Sequence, residues 1–398
     1  MAEAPWITIV GLGEDGPQGL SLASRTALES AKIVMGSKRH LDLLPDLKVK
    51  TVEWPVPFAD GIGLLRGLTG RQVVVLASGD PFWFGAGSTI AREFTDHEWC
   101  ALPAPSTFSH AAARMGWALD QTTCLGLHAA PLSRLRPHLA PTARVIVLLR
   151  DGDAVHELAA YLKDLGFGDS KLTVLEALGG PRERVTPATV GALNDGFCHP
   201  VCVAVEVAGQ GEAMPKASGL PDHFFASDGV MTKRPIRALT LSALAPRPGE
   251  QLWDIGGGSG SIAIEWLLSH PTCKAITVEP RGDRAANIRA NALALGTDRL
   301  DVIEGSAPAA LEGLPAPNAI FVGGGLSEAL LSTLEAAVPT GTRMVANAVT
   351  LETEALLTAW QARKGGDLMR IETAHAAPLG QRRGWKAAYP LVQWSGVL

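Results

Sequence analysis

Cysteine is scarce in this 398-residue chain. The five present (Cys100, Cys124, Cys198, Cys202 and Cys273) are odd in number, scattered, and never spaced as C-x-x-C. That excludes a disulfide framework and a cysteine metal centre, and predicts reduced thiols in a cytoplasmic protein. Long apolar runs are missing as well, so no segment is expected to cross a bilayer. The opening MAEAPWITIVGLG has neither a basic start nor a long apolar stretch, which predicts no signal peptide. Excess charge of one sign is also lacking. A net charge of −5 gives no support to a nucleic-acid or membrane-surface partner. His40, His97, His110, His128, His138, His156, His199, His270 and His375 show no paired spacing, so no metal site is expected and they read as packing or surface residues. His223 lies nearer a basic segment and is of more interest. No internal repeat is visible.

What is present is enough apolar residue, 46%, to fill more than one core over this length. Short apolar runs alternate with amphipathic segments throughout, the pattern of parallel-rich α/β layers. Strands are predicted at 7–10, 73–77, 145–149, 172–175 and 201–207, with helices at 21–31, 86–94, 106–115 and 154–165. The pattern loosens around 117–127, where a second α/β lobe is expected to begin. The polar, Gly/Pro-rich stretch AGQGEAMPKASGLPD predicts a linker over 208–222. The alternation then restarts. Strands are predicted at 251–255, 275–279, 301–303, 319–322 and 343–346, helices at 262–269, 283–295, 327–337 and 352–362, and a late edge strand within 385–394. The expectation is two unlike domains, 1–207 and 223–398, the second a doubly wound sheet.

The most specific stretch is Trp253-Asp-Ile-Gly-Gly-Gly-Ser-Gly260. It reads as a strand ending in an acid, a glycine turn, and a helix from about Ser261. Glycines at such a turn let a ligand approach bare backbone. The next strand also ends in an acid, Glu279, suited to the paired hydroxyls of a ribose. A dinucleotide fingerprint would need glycine where Ser261 stands, and Asp254 would sit where two phosphates lie. The same acid suits the cationic amino end of S-adenosylmethionine. D-x-G-x-G-x-G with Gly256, Gly258 and Gly260 resembles the first motif of Rossmann-like (class I) methyltransferases. An NAD-linked oxidoreductase, an RNA methyltransferase and a non-catalytic scaffold are the rival classes.

Three elements of the first half fall at strand ends: Val10-Gly-Leu-Gly-Glu-Asp-Gly16, Ala77-Ser-Gly-Asp-Pro-Phe-Trp-Phe-Gly85 and Pro103-Ala-Pro-Ser-Thr-Phe108. The first alone is weak. Together they resemble the tetrapyrrole methylase family over roughly residues 5–207. The resemblance implies a two-lobed domain with a methyl donor in the cleft, held by Gly11 and Gly13, by Gly79, Asp80 and Pro81, and by Ser106 and Thr107. Glu14-Asp15 stands where Pro-Gly is common, and Ala104 where glycine is usual.

In the second half, Thr232, Lys233, Arg234 and Arg237 cluster before a helix expected to pack near the cofactor. Thr232 is placed with the donor and the cations with substrate carboxylates. Ser306 and Ala307 are candidates for an adenine edge. Gly323 and Gly324 would let a bulky planar acceptor come close. In this order the motifs resemble the methyltransferases that act on C15 in corrin synthesis. Ser306 and Asn318 each replace an acid usual there, so neither carries a catalytic role. The resemblance implies methylation of a tetrapyrrole at C5 and C15 with loss of CO₂ from the C12 acetate, one S-adenosylmethionine per domain, Lys233 positioning that acetate or donating nearby, and a homo-oligomer.

Overall fold

A computed structural model describes residues 5–398. The expectation of no signal peptide rests partly on the first four residues, which lie outside that range. The chain forms two compact units. One comprises the chain up to Ala130 with His138–Glu212, and the other Pro131–Pro137 with Ala213–Leu398.

The first unit opens with β1 (Ile7–Leu12), α1 (Leu22–Ser30), β2 (Ile33–Gly36), α2 (Lys38–Asp42), β3 (Lys50–Glu53), α3 (Asp60–Arg66), β4 (Val73–Ser78), α4 (Gly87–Glu93), β5 (Trp99–Leu102) and α5 (Thr107–Met115). The five strands make a parallel sheet in the order β3-β2-β4-β1-β5. Side chains alternate between its faces. Ile7, Ile9, Ile33, Val73 and Val75 join a core with Ile62 and Leu65 of α3 and Ile90 of α4. Val10, Leu12, Val34, Val74 and Leu76 join another with Leu28 of α1. Burial on both faces explains the unbroken apolar runs. Because all five strands run the same way, their carboxyl ends line one edge, with Leu12 beside Ser78 and Val10 beside Leu102.

A second sheet of this unit begins with β6 (Thr123–Gly126), inside the stretch where the alternation loosens. It continues through β7 (Arg144–Leu149), α6 (Asp153–Asp164), β8 (Lys171–Glu176), β9 (Arg184–Thr189) and β10 (Val201–Glu206), in the order β6-β7-β10-β8-β9. The sheet is mixed: β10 runs antiparallel to both β7 and β8.

The second unit contains α7 (Arg234–Leu244), β11 (Gln251–Ile255), α8 (Ser261–Ser269), β12 (Lys274–Glu279), α9 (Gly282–Ala294), β13 (Asp301–Glu304), β14 (Ala319–Val322), α10 (Glu328–Ala337), β15 (Arg343–Ala348), α11 (Leu351–Lys364), β16 (Asp367–Ile371), β17 (Ala374–Leu379), β18 (Arg382–Ala387) and β19 (Leu391–Val397). Seven strands form one sheet in the order β13-β12-β11-β14-β15-β19-β16. Leu252, Ala275 and Phe321 pack with α7, α8 and α9. Their neighbours Trp253, Ile276 and Ile320 pack with α10 and α11. The expected late edge strand is corrected. The stretch 385–394 straddles a separate hairpin of β17 and β18 and the start of β19, which lies between β15 and β16 and antiparallel to both. Gln393 and Trp394 are buried, so the run Leu-Val-Gln-Trp belongs inside the sheet. Among the described residues no helix is long and apolar enough to cross a membrane, and no group of three His, Cys, Asp or Glu could hold a metal ion.

Candidate active sites at the strand ends

In the first unit the loops after β1, β4 and β5 close on one another. The Gly79 N–H donates to the Leu12 carbonyl at 3.0 Å, and the Ala104 N–H donates to the Gly79 carbonyl at 3.1 Å. Gly11 makes this approach possible: a Cβ there would stand 2.0 Å from the Gly79 oxygen and 2.6 Å from the Ala104 nitrogen. Gly79 has φ +50° and would bring its own Cβ to 2.8 Å from the Pro105 oxygen. Ala104, where glycine was expected, fits without a positive φ. Gly13, Gly79, Asp80, Ser106 and Thr107 line a cavity of about 560 Å³. That is a size suited to small-molecule ligands. Gly11 and Pro81 stand behind the wall, and the Pro81 carbonyl accepts the Gly87 N–H at 2.9 Å. The Asp80 carboxylate folds back onto the Phe82 N–H at 2.9 Å. The Ser106 hydroxyl caps α5 by accepting the Ser109 N–H at 3.1 Å.

Sequence reasoning missed half of this cavity's polar wall. Ser37 caps the short helix α2, whose Arg39 and His40 face the cavity. Arg39 pairs with Glu14 and donates to the Ser78 hydroxyl at 2.7 Å. Glu14 also accepts Arg182 at 3.0 Å. His40 lies 2.9 Å from both the Arg39 Nη2 and the Ser78 hydroxyl. Burial, then the adjacent guanidinium, push its imidazole down to about 3. Burial and then Arg39 also lower His199, whose Nδ1 is 3.1 Å from the Arg150 carbonyl. His110 and His128 line the cavity too. His40, His110, His128 and His199, which read from the sequence as surface or packing residues, thus come together in one cavity wall. Nothing in their spacing could have shown it, because four separate segments deliver them. Trp83 and Phe84 form an aromatic wall against Phe108, with ring centroids at 4.9 and 5.9 Å.

In the second unit Gly256, Gly258 and Gly260 take φ of +75°, +59° and +76°. Left-handed backbone at alternate positions turns the chain sharply from β11 into α8. A Cβ on Gly256 would stand 2.7 Å from the Gly324 nitrogen, and the Gly323 N–H donates to the Ile255 carbonyl at 2.9 Å. The glycines after β11 and β14 thus meet. Glu279, at the end of β12, accepts the Gly258 N–H at 2.9 Å and the Arg281 N–H at 3.1 Å. Its backbone oxygen accepts the Gly305 N–H at 3.1 Å, which brings the segment of Ser306 and Ala307 alongside. The Val230 carbonyl approaches Gly258, so the stretch leading to Thr232 lies over the glycine loop. Lys233 and Arg234 are exposed at the start of α7, with the Arg234 N–H held by Asp222 at 3.0 Å. The Asn318 amide oxygen accepts the Gln251 N–H at 2.8 Å, at the amino ends of the strands and away from the glycine loops.

Two expectations are corrected. Arg237 does not face a ligand. It is fully buried, paired with Glu265 at 2.5 Å, and donates to the Thr232 and Leu220 carbonyls. Glu265 in turn accepts the Gly219 and Leu220 N–H groups at 2.6 and 2.9 Å. The pair therefore fastens the entry of the unit to α7 and α8. Arg237→Ala would leave a buried carboxylate uncompensated, and is expected to destabilise the second unit by about 3–5 kcal/mol in urea unfolding. A substrate-contact role would instead raise KM at unchanged stability. Asp254 is also covered, at 1% exposure. It shares a face with Leu252, so its carboxylate points under the loop, toward the start of α8. There its Oδ2 lies 3.4 Å from the Thr277 hydroxyl, while its buried Oδ1 has no hydrogen-bond partner. It lies beneath the loop and does not stand at its open surface.

Residues 7–194 match the family of Tetrapyrrole (Corrin/Porphyrin) Methylases, and residues 223–398 match a Precorrin methyltransferase domain. A Sinorhizobium sp. protein called precorrin-6Y C(5,15)-methyltransferase [decarboxylating] is 50% identical over 98% of this chain and 96% of its own. The Mycobacterium tuberculosis (strain H37Rv) protein of that name is 42% identical over 98% and 99%. A crystal structure of the C-terminal domain of precorrin-6Y C5,15-methyltransferase from Rhodobacter capsulatus is 55% identical, covering 46% of this chain and all of that one, with a TM-score of 0.45. With identity of this degree sustained from end to end, the chain belongs to the family of decarboxylating precorrin-6Y C(5,15)-methyltransferases.

Proposed function

We propose that this chain methylates a precorrin-6Y-type tetrapyrrole at C5 and C15 and removes CO₂ from its C12 acetate, with one S-adenosylmethionine in each unit. The first unit, a two-lobed domain, methylates C5. The second, a doubly wound sheet, methylates C15 and decarboxylates. We place the enzyme in the cytoplasm as a homo-oligomer. The observation that carries the reading is that each unit builds a strand-end loop from glycines, where a Cβ on Gly11 or Gly79 in the first, or on Gly256 in the second, would strike neighbouring backbone. Both cradles fit a donor that must lie against bare main chain.

Gly13, Gly79, Asp80, Ser106 and Thr107 would hold the donor in the first unit, with Gly11 and Pro81 shaping the wall from behind. Gly256, Gly258, Gly260, Glu279, Thr232, Ser306 and Ala307 would do so in the second. The donor supplies an electrophilic methyl group on a cationic sulfur. The acceptor carbons belong to an electron-rich conjugated ring, so the chain need not provide a strong base. Its residues fix the acceptor at near-attack distance, and rigid loops keep that geometry. Glu279, 2% exposed, accepts the Gly258 and Arg281 N–H groups and so fixes the loop against which the donor's ribose would lie. Exposed Gly323 and Gly324 leave room for the planar ring. Lys233, with Arg234, positions the acetate whose carboxyl group leaves as CO₂, a proton taking its place to leave a methyl group.

The test follows product mass with the full chain, S-adenosylmethionine and the tetrapyrrole. Two methyl additions and one loss of CO₂ are expected. Lys233→Met should slow CO₂ loss by about tenfold or more while both methyl additions continue. A product with no added methyl would refute the reading, and unchanged CO₂ release in the Lys233 variant would refute the role of that residue.

A further inference from the structure

We infer that Arg39 is the carboxylate anchor of the first unit's cavity. Among the described residues it is the one lysine or arginine in the cavity wall. Its side chain is 28% exposed while its partner Glu14 is only 8% exposed, so the pair presents the guanidinium and hides the carboxylate. One Nη1 proton goes to Glu14, and Nη2 faces the Ser78 hydroxyl and the His40 Nε2. Of the five N–H groups a guanidinium carries, Nε–H and the second Nη1–H remain for a ligand.

The surrounding charges keep this site cationic. Glu14 is shared between Arg39 and Arg182, two guanidiniums on one carboxylate, which leaves a net positive charge. A guanidinium can only donate, so the His40 Nε2 facing it is an acceptor and that ring stays neutral. Side-chain freedom is removed before a ligand arrives, because three groups hold the fork in place. Its location is equally specific. Ser78 is the residue immediately before Gly79, so the guanidinium stands at the cradle itself. Gly36, packed against Leu76 and the His40 Cβ, sets α2 down close enough for this reach.

A carboxylate is the ligand chemistry that a fixed, partly desolvated guanidinium selects. This inference rests on the proposed function for the carriers of that group, which are the acid side chains of the tetrapyrrole and the amino-acid end of the donor. Two measurements on the full chain separate them: the KM for the tetrapyrrole by product mass, and the Kd for S-adenosylhomocysteine by calorimetry. Arg39→Gln is expected to raise one of these by about tenfold or more. A change in KM alone assigns the anchor to the macrocycle, and a change in Kd assigns it to the donor. Arg39→Lys keeps the charge and the Glu14 pairing but loses the planar fork, so the same constant should rise by about three- to tenfold. Thermal unfolding checks that both variants fold, and the lysine variant carries the test if the glutamine variant does not. A parent enzyme that is active, with both constants within twofold in the variants, overturns the anchor. A parent that neither binds S-adenosylhomocysteine nor adds methyl groups refutes the proposed function instead.

Discussion

Gly11→Ala is expected to halve the number of S-adenosylhomocysteine molecules the chain binds, from two to one. The added methyl would sit 2.0 Å from the Gly79 carbonyl oxygen and 2.6 Å from the Ala104 nitrogen, both main-chain atoms. Neither can rotate away, so the loops after β1, β4 and β5 must part, and the 3.0 and 3.1 Å hydrogen bonds joining them would stretch or break. Gly256→Ala should remove the other site, since it forces a side chain onto φ +75° and toward the Gly324 nitrogen at 2.7 Å. The double variant should bind none. Calorimetric stoichiometry of the three proteins decides the matter. A parent that binds one equivalent, or a Gly11 variant that still binds two at parental Kd, would be incompatible with a donor in each unit.

Asp254→Asn is expected to remove a pH dependence from the stability of the second unit. Burial drives the Asp254 carboxyl up to about 7, and the nearby Glu279 adds to the shift, against the Ala263 N–H and the Thr277 hydroxyl that favour the anion. A folded-state value above the unfolded one means that the fold binds the proton more tightly. The stability this contributes is fully present below about pH 4 and is lost as pH rises through about 7. Between pH 5 and pH 8 the loss amounts to about 2–3 kcal/mol. Asparagine keeps the shape and cannot ionise. The variant should therefore gain on the parent by about that amount across this interval in urea unfolding. A parallel pH profile for parent and variant would show that Asp254 does not titrate beneath the loop.

Much of the framework was legible because it depends on short-range pattern. The runs Ile-Thr-Ile-Val, Val-Val-Val-Leu-Ala and Val-Cys-Val-Ala-Val fell within β1, β4 and β10, since a strand buried on both faces must be apolar at nearly every position. The glycine loop at 256–260 was equally plain, because only glycine suits three left-handed residues in so short a turn. Short elements were not legible. The five-residue α2 has no room for a helical period, so the sequence offered no reason to expect a wall there, and Arg39 and His40 came with it unseen. Arg237 failed for the opposite reason. Its cluster with Lys233 and Arg234 looked like one cationic face, yet its position along α7 turns it inward to Glu265, whose depth in the fold no local pattern reveals.

The sequence by itself determined where several of the strands end, which loops carry glycine, and that the two halves are unlike; these follow from the residue types that each backbone conformation tolerates. Only the tertiary structure decided which polar groups meet. Glu14, Arg39, Ser78 and Arg182 come from four separate segments, and Asp254 is hidden while Lys233 is open. The physical reason is range. Backbone preference acts between neighbours in the chain, whereas burial, ion pairing and a shifted carboxyl depend on atoms that are distant in sequence until the sheets assemble.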